Sequence, residues 1–472
     1  MSGEKYADGE KKKLAASYLI YSMLFAFFVF KMFFYANEIN DVPDQAAQRA
    51  YIIYFEEHPE VFIPKFEDVK IYGGIRIFED GNSSILKCQK ATTTCYLGHP
   101  PFYFKLMQLC DVVDIDGDYA YVNLTKLCYI NIFITSLTMM MALLSGYRQL
   151  ERSKVGWEVH FLFATICTCL PMYGYIGSGV NNDNLCNLAT VIFWLGIISY
   201  FEKGYCAKTY WLIAAGVLLA VCAKLTAGLI IIIVCIIIIF TDIAKNRKAT
   251  IIFNKYFAMT IPLYLIVFSY FLIIYFRYGT FSPSYEGFVS TEEFRSSVFY
   301  IEENARTQLS FEADVKHFFT NLLNTWMGTY SIYYTISREG ILAVPFILVL
   351  ILFLVYALIN LCRFLRNGNL KIETASTAVA IAIVITVLIQ FRMHRTAYLS
   401  RGYLGGYQAR YYMPCIPVIA FGVSQFAGEV SGRYGKVIKR IVQAGILIVG
   451  MLMIYADFFY YILSYYRSYH GY

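Results

Sequence analysis

Two aspartates flank a proline in NDVPDQ, Asp41 and Asp44, directly after an apolar run at 14–36. A carboxylate there can end one helix and cap the next, or it can take a proton from a hydroxyl. Four further polar clusters offer chemistry. LGHPPFYFKL carries His99 and Tyr103 behind two prolines, which suits either a chain re-entering a membrane or a ligand-binding histidine. GSGVNNDNLCN is a short turn with Asn181, Asn182 and Asp183, and a carboxylate at the mouth of two helices is one way to hold a substrate hydroxyl. CAKLTAG sets Lys224 inside an apolar stretch, where a charge is costly unless it snorkels or finds a partner. FRMHRTAYLSRGYLGGYQARYYMPCIP gathers Arg392, His394, Arg395, Arg401, Gln408, Arg410 and Tyr411. Arginine forks grip phosphate, so this cluster calls for an anion, either ordinary lipid headgroups or a bound lipid phosphate or pyrophosphate.

The elements that must position these residues are membrane spans. Of 472 residues, 58% are hydrophobic and only 15% charged, and the mean hydropathy is +0.51. Soluble chains are nearer half apolar and about a quarter charged. Apolar runs predict about eleven spans, near 14–36, 122–147, 158–178, 185–202, 209–223, 226–241, 254–276, 340–362, 373–391, 411–427 and 441–463. The stretch 209–241 is too long for one ordinary helix and reads as a re-entrant pair broken at AKLTAG. The first run is too long for the apolar part of a cleaved signal. Basic segments EKKK, YRQLERSK, AKNRKATIIFNK, CRFLRNGNLK and GRYGKVIKR fall on alternate turns. They make that side, and the amino terminus, cytoplasmic. The net charge of +7 therefore reads as topology rather than as nucleic-acid binding.

The five polar clusters then share the outer side, together with two long loops, roughly 37–121 and 277–339, within a single membrane domain. The first loop is expected to hold short helices and a hairpin at EDGNSS, the second amphipathic helices lying near the surface. Of the 12 cysteines, Cys88 and Cys95 lie in the first soluble loop, where they would either bridge or stay free. DVVDIDGDY, with Asp114, Asp116 and Asp118, lacks the closing glutamate of a calcium loop and reads as an acidic turn. NLT at Asn123 has the form of a glycosylation acceptor but opens a span. Rossmann, P-loop and HExxH patterns are absent.

In this order the clusters resemble the GT-C class of membrane glycosyltransferases, with the protein O-mannosyltransferases and the aminoarabinose transferases. VPDQ stands where the class carries an acidic pair after a proline, so Asp44 takes the acid's place and Gln45 replaces a glutamate. GHPPFYF is similar to a His-Pro-Pro-x-Tyr element, NNDNL to an acidic turn, CAKLTAG to a lysine–threonine element and QARYYMPCIP to a Gln-x-Arg-Tyr-x-x-Pro element. The resemblance covers nearly the whole chain. It implies an all-α polytopic fold and an inverting transfer of sugar from a polyprenyl-phosphate donor to a hydroxyl of a lipid or cell-surface glycan.

On that reading Asp44 is the base, with Asp41 sharing the role as one alternative to Asp41 and Asp183 binding the acceptor or a metal. Lys224 and Arg410 are the phosphate contacts. Asn182, His99, Tyr103, Gln408 and Tyr411 complete the substrate site. A divalent metal, magnesium or manganese, held by Asp44 and Asp183 is one option. The implied partners are the lipid-linked donor, the acceptor and membrane lipids, without nucleic acid. The setting is a bacterial plasma membrane with the site on its extracytoplasmic side, in cell-envelope glycan biosynthesis. A transporter or flippase of a lipid-linked glycan, and a surface-glycan polymerase or ligase, are the competing readings.

Overall fold

The computed structural model describes residues 2–38, 42–79, 83–246, 252–327, 340–368, 372–433 and 435–463. Asp41 lies outside them. The chain enters through α1 (Ser2–Glu38), α2 (Gln45–Glu57) and α3 (Phe102–Gln108). It continues with α4 (Leu124–Arg152), α5 (Trp157–Thr168), α6 (Pro171–Gly177), α7 (Asp183–Lys203), α8 (Ala207–Ala223) and α9 (Leu225–Asn246). Next come α10 (Lys255–Tyr278), α11 (Thr291–Arg295), α12 (Phe311–Met327) and α13 (Gly340–Asn367). The fold closes with α14 (Ile372–Arg401), α15 (Ile416–Arg433) and α16 (Lys436–Tyr455).

Every one of the eleven apolar runs is helical, and nine helices among the described residues are long and apolar enough to span a membrane. The two that fall short have visible causes. The run 158–178 is split into α5 and α6, bent by 50°, where Pro171 starts the second piece. A proline cannot continue the α5 ladder but suits a first turn. The run 209–241 breaks at Lys224, whose backbone is extended at φ −160° and ψ 131°. α9 is a full span, so α8 alone is the short member of the expected pair. Gly228 lets the two helices approach, since a side chain there would lie 3.0 Å from the Val221 Cα. α7 and α8 pack as closely. Gly196 faces the Ile213 backbone and Gly216 that of Phe193, the small-residue contact by which helices associate in lipid.

The first loop differs from expectation in its sheet. Two antiparallel hairpins, β1 (Lys70–Glu79) with β2 (Ser83–Thr94) and β3 (Val113–Asp116) with β4 (Tyr119–Asn123), join in the order β1-β2-β4-β3. DVVDIDGDY is thus a strand and its turn, with Gly117 at φ 59° supplying the left-handed residue. Asn123 caps α4 by accepting from Lys126 N at 2.9 Å. Cys88 and Cys95 are free and buried; their Sγ atoms face the Leu86 and Ala47 carbonyls respectively.

One buried charge pair escaped the sequence reading. Lys31 of α1 donates to Asp457 at 2.6 Å and to the Thr168 carbonyl at 2.9 Å. That carbonyl ends α5, so the helix break supplies an acceptor that the α5 ladder does not use. Both side chains of the pair are fully buried, and Asp457 sits in a π-helical turn, Ala456–Ile462. Removing one partner of such a pair leaves a buried charge uncompensated, at a cost of about 3–5 kcal/mol. Lys31→Met should therefore lower the unfolding temperature in detergent markedly. Adding Asp457→Asn should restore much of the loss.

Candidate active site

Asp44 stands at the N-cap position of α2 but makes no side-chain cap bond, and its backbone is left-handed at φ 63°. The helix-stop reading thus leaves its carboxylate unexplained. The carboxylate instead accepts from Tyr96 Oη on one oxygen and from Arg410 Nη2 on the other, both at short range. Arg410 Nη1 also donates to the Pro43 carbonyl at 3.3 Å, and Asn181 Nδ2 reaches the same carbonyl at 3.0 Å. The uncommon backbone conformation is therefore fixed from three sides.

Arg410 comes from the short 3-10 helix Ala409–Cys415 and is almost wholly buried. Its Nε lies 3.7 Å from Asp183 Oδ2, too far for a hydrogen bond, and both atoms lack hydrogen-bond partners. The other Asp183 oxygen accepts from Lys224 Nζ at 2.6 Å. Asp44, Arg410, Asp183 and Lys224 thus form one chain of alternating charge. Lys224 and Arg410 also lie over the Tyr411 ring, 4.7 and 5.5 Å from its centroid. Asp44 is the most accessible of the four side chains, at 23% against 2% for Arg410.

The supporting shell explains the geometry. Lys224 is in place because Asn182 Nδ2 donates to the preceding Ala223 carbonyl at 2.9 Å, while its Oδ1 accepts from Gln48. Asn182 is therefore a brace, fully buried and fully engaged. Gln45 accepts from Val180 N at 3.2 Å and ties α2 to the same turn. Tyr103 is also fully buried. Its hydroxyl donates to Asn131 at 2.9 Å, and Asn131 also accepts from Asn184. A substrate would meet Tyr103 only through those side chains, so it supports the Asn181–Asp183 turn from behind.

His99 is partly buried beside these charges. Burial, and after it the positive charge of Lys224, push its imidazole down to about 3. The ring is thus neutral and available as donor or acceptor. Gln408 keeps a buried Oε1 without a partner.

Burial alone would raise the Asp44 carboxyl. The charge of Arg410 and the hydrogen bonds from Tyr96 and Arg410 outweigh it and hold the group at about 2. Tyr96, which sequence reasoning missed, is part of that hold. A carboxylate with a depressed value adds stability that is present above its unfolded value, about 3.9, and is lost as pH falls towards 2. Tyr96→Phe removes a hydrogen bond to a charged group, about 1.5–3 kcal/mol. Acid unfolding of that variant should begin at a higher pH than in the wild type, as followed by intrinsic fluorescence.

The fifth cluster divides. Arg410 and Tyr411 lie in the site, whereas Arg395 and Arg401, in the last turns of α14, meet acids from the second loop. Arg395 donates to Asp314 at 2.9 Å, Arg401 to Glu286 at 3.4 Å, and Arg392 is exposed. The expectation that all of them await an anion is thereby corrected. The donor set also fits a divalent metal poorly. Asp44 and Asp183 each already hold a cationic side chain, and no group of three metal-ligating side chains meets among the described residues.

The chain matches no protein-family model, and none of the curated proteins matches it. Among solved structures it is similar to the crystal structure of ArnT from Cupriavidus metallidurans bound to undecaprenyl phosphate. The TM-score is 0.50 with 11% identical residues, over 95% of this chain and 77% of that one. At that identity the likeness shows the fold, a helix-dominated polytopic membrane architecture of the GT-C kind.

Proposed function

We propose that this protein moves a sugar from a polyprenyl-phosphate-linked donor to an acceptor hydroxyl, with inversion, on the extracytoplasmic side of the membrane. The observation that carries the reading is the meeting of Asp44, Asp183, Lys224 and Arg410, drawn from four distant segments, in one partly accessible node. The GT-C-like fold and the undecaprenyl phosphate named with the ArnT structure support it.

In the step itself, Asp44 accepts the proton of the acceptor O–H as that oxygen bonds to the anomeric carbon. The bond from the anomeric carbon to the phosphate oxygen breaks, and its electron pair leaves with the polyprenyl phosphate. Arg410 and Lys224 stabilise the charge that grows on that oxygen, and Tyr411 holds both cations from one side. A base works best with a pKa near the working pH, and at about 2 Asp44 is weak. A donor phosphate that takes over Arg410's Nη atoms would relax this hold, so donor binding would restore basicity to Asp44. His99, Gln408 and Asp183 are the remaining candidates for contacts to sugar or acceptor.

Purified protein given a radiolabelled polyprenyl-phosphate sugar and bacterial lipid and glycan fractions should transfer label into one of them. Movement of the donor across liposomes with no new bond would support a transporter instead.

A further inference from the structure

We propose that His394 is a positioning residue: its doubly protonated ring latches segment 402–408, and that segment sets Arg410 and Tyr96 around Asp44. The proposal rests on the reading of this node as the donor-phosphate site.

Segment 402–408 joins the end of α14 to the helix that carries Arg410. Two of its three glycines, Gly402 and Gly406, have φ of 72° and 78°, left-handed values that leave the segment's path to its anchors. His394 Nδ1 lies 2.8 Å from the Gly405 carbonyl oxygen. Gln390 donates to the Gly406 carbonyl, and Ala409 N donates to Thr325 at 2.9 Å. The opposite ring nitrogen, Nε2, lies 3.0 Å from Asp314 Oδ1. Neither partner of the ring can donate. A main-chain carbonyl has no proton, and the second Asp314 oxygen already accepts from Arg395. Both contacts are hydrogen bonds only if both ring nitrogens carry protons. A neutral ring must give up one of them, inside a pair whose side chains are fully buried.

The titratable and charged groups facing the ring are Asp314 and His317 of α12, Tyr407 of the segment and Arg395 of its own helix. The segment reaches Asp44 by two routes. One is the chain itself, which leads to Arg410. The other is aromatic: Tyr403 packs on Phe299 at 5.2 Å, and Phe299 on Tyr96 at 5.0 Å. Loosening the latch would therefore disturb both groups that hold the Asp44 carboxylate.

The test uses the full chain in lipid nanodiscs and compares the wild type with His394→Leu, His394→Gln and His317→Gln. Hydrogen exchange of peptides covering 399–409, corrected for intrinsic rates, reads the latch. Binding of undecaprenyl phosphate is measured in parallel. His394→Leu, which can donate to neither Gly405 nor Asp314, should lower protection of the segment at least about tenfold, as one hydrogen bond to a charged group is lost. It should also weaken lipid binding at least about threefold. His394→Gln keeps an amide that can donate to one partner and should fall between the two, and it carries the test should His394→Leu fail to fold. His317→Gln should keep the wild-type protection and binding.

Wild-type protection in both His394 variants, or a loss of protection as large in His317→Gln, overturns the proposal. So does lipid binding that ignores the loosened segment. A segment loosened by His394→Leu in a protein that binds no undecaprenyl phosphate would sustain the latch and remove the donor-site reading. Tight lipid binding beside a segment indifferent to His394 would do the reverse.

Discussion

Asp44→Asn is expected to slow sugar transfer by roughly 10²–10⁴-fold, the usual contribution of a positioned base, while the donor still binds. Asparagine keeps the size of the side chain and an oxygen for Tyr96, but it cannot take the acceptor's proton. It also tolerates the left-handed backbone that position 44 adopts at φ 63°, so the loop should survive the exchange. The same substitution frees Arg410 from its carboxylate, leaving only Asp183 at 3.7 Å. Phosphate should then bind more tightly than in the wild type. Single-turnover transfer and donor binding, measured side by side, separate the two effects. A transfer rate within about threefold of the wild type would remove Asp44 from the chemistry.

The second large effect belongs to Arg410→Gln. This change removes a buried guanidinium from between Asp44, the Pro43 carbonyl and Asp183. Losing one such electrostatic donor costs about 10²–10³ in turnover. Here the donor's phosphate grip should weaken at the same time, so kcat and KM both suffer. Two carboxylates would remain with only Lys224 for compensation, and Asp44 would lose the chief group that draws it down to about 2. Acid unfolding should accordingly begin at a higher pH than in the wild type. Arg410→Lys keeps the charge but not the planar fork, and it should recover part of the binding and less of the rate.

Much of this site was legible in the sequence because its residues break rules that a membrane span obeys. Lys224 interrupts an apolar run, and the structure gives it Asp183. The acids of VPDQ and NNDN sit where chains leave the membrane, and both meet Arg410. Lys31 broke the same rule and could have been found the same way, as a charge in the first apolar run.

Tyr96 carried no such signal. It is one of 42 tyrosines, and only the folding of the second hairpin strand back towards α2 brings it to Asp44. Tyr103 and Asn182 were legible as site residues but not as braces, because burial depends on neighbours that are distant in sequence. The FRMHR cations misled for another reason. Proximity in sequence suggested one basic patch with Arg410, yet α14 runs on to Arg401, turning Arg395 towards Asp314 and Arg401 towards Glu286 and leaving Arg392 exposed.

The fold was read in a similar way. Spanning length and turn chemistry located all eleven helical runs, including the break at Lys224. The sheet was half seen. The V-D-I-D alternation of β3 has the period of a strand, but its acidic residues drew the eye to a turn. The pairing of β2 with β4 joins segments far apart in the chain, and local pattern says nothing about such pairs.

In the proposed mechanism Arg410 is shared between the base and the donor's phosphate. Binding of undecaprenyl phosphate to the wild type, Asp44→Asn and Arg410→Gln in nanodiscs tests it most directly. The wild type should bind, Asp44→Asn should bind more tightly, and Arg410→Gln should lose at least about tenfold. Equal binding by all three, or weaker binding by Asp44→Asn than by the wild type, would contradict it.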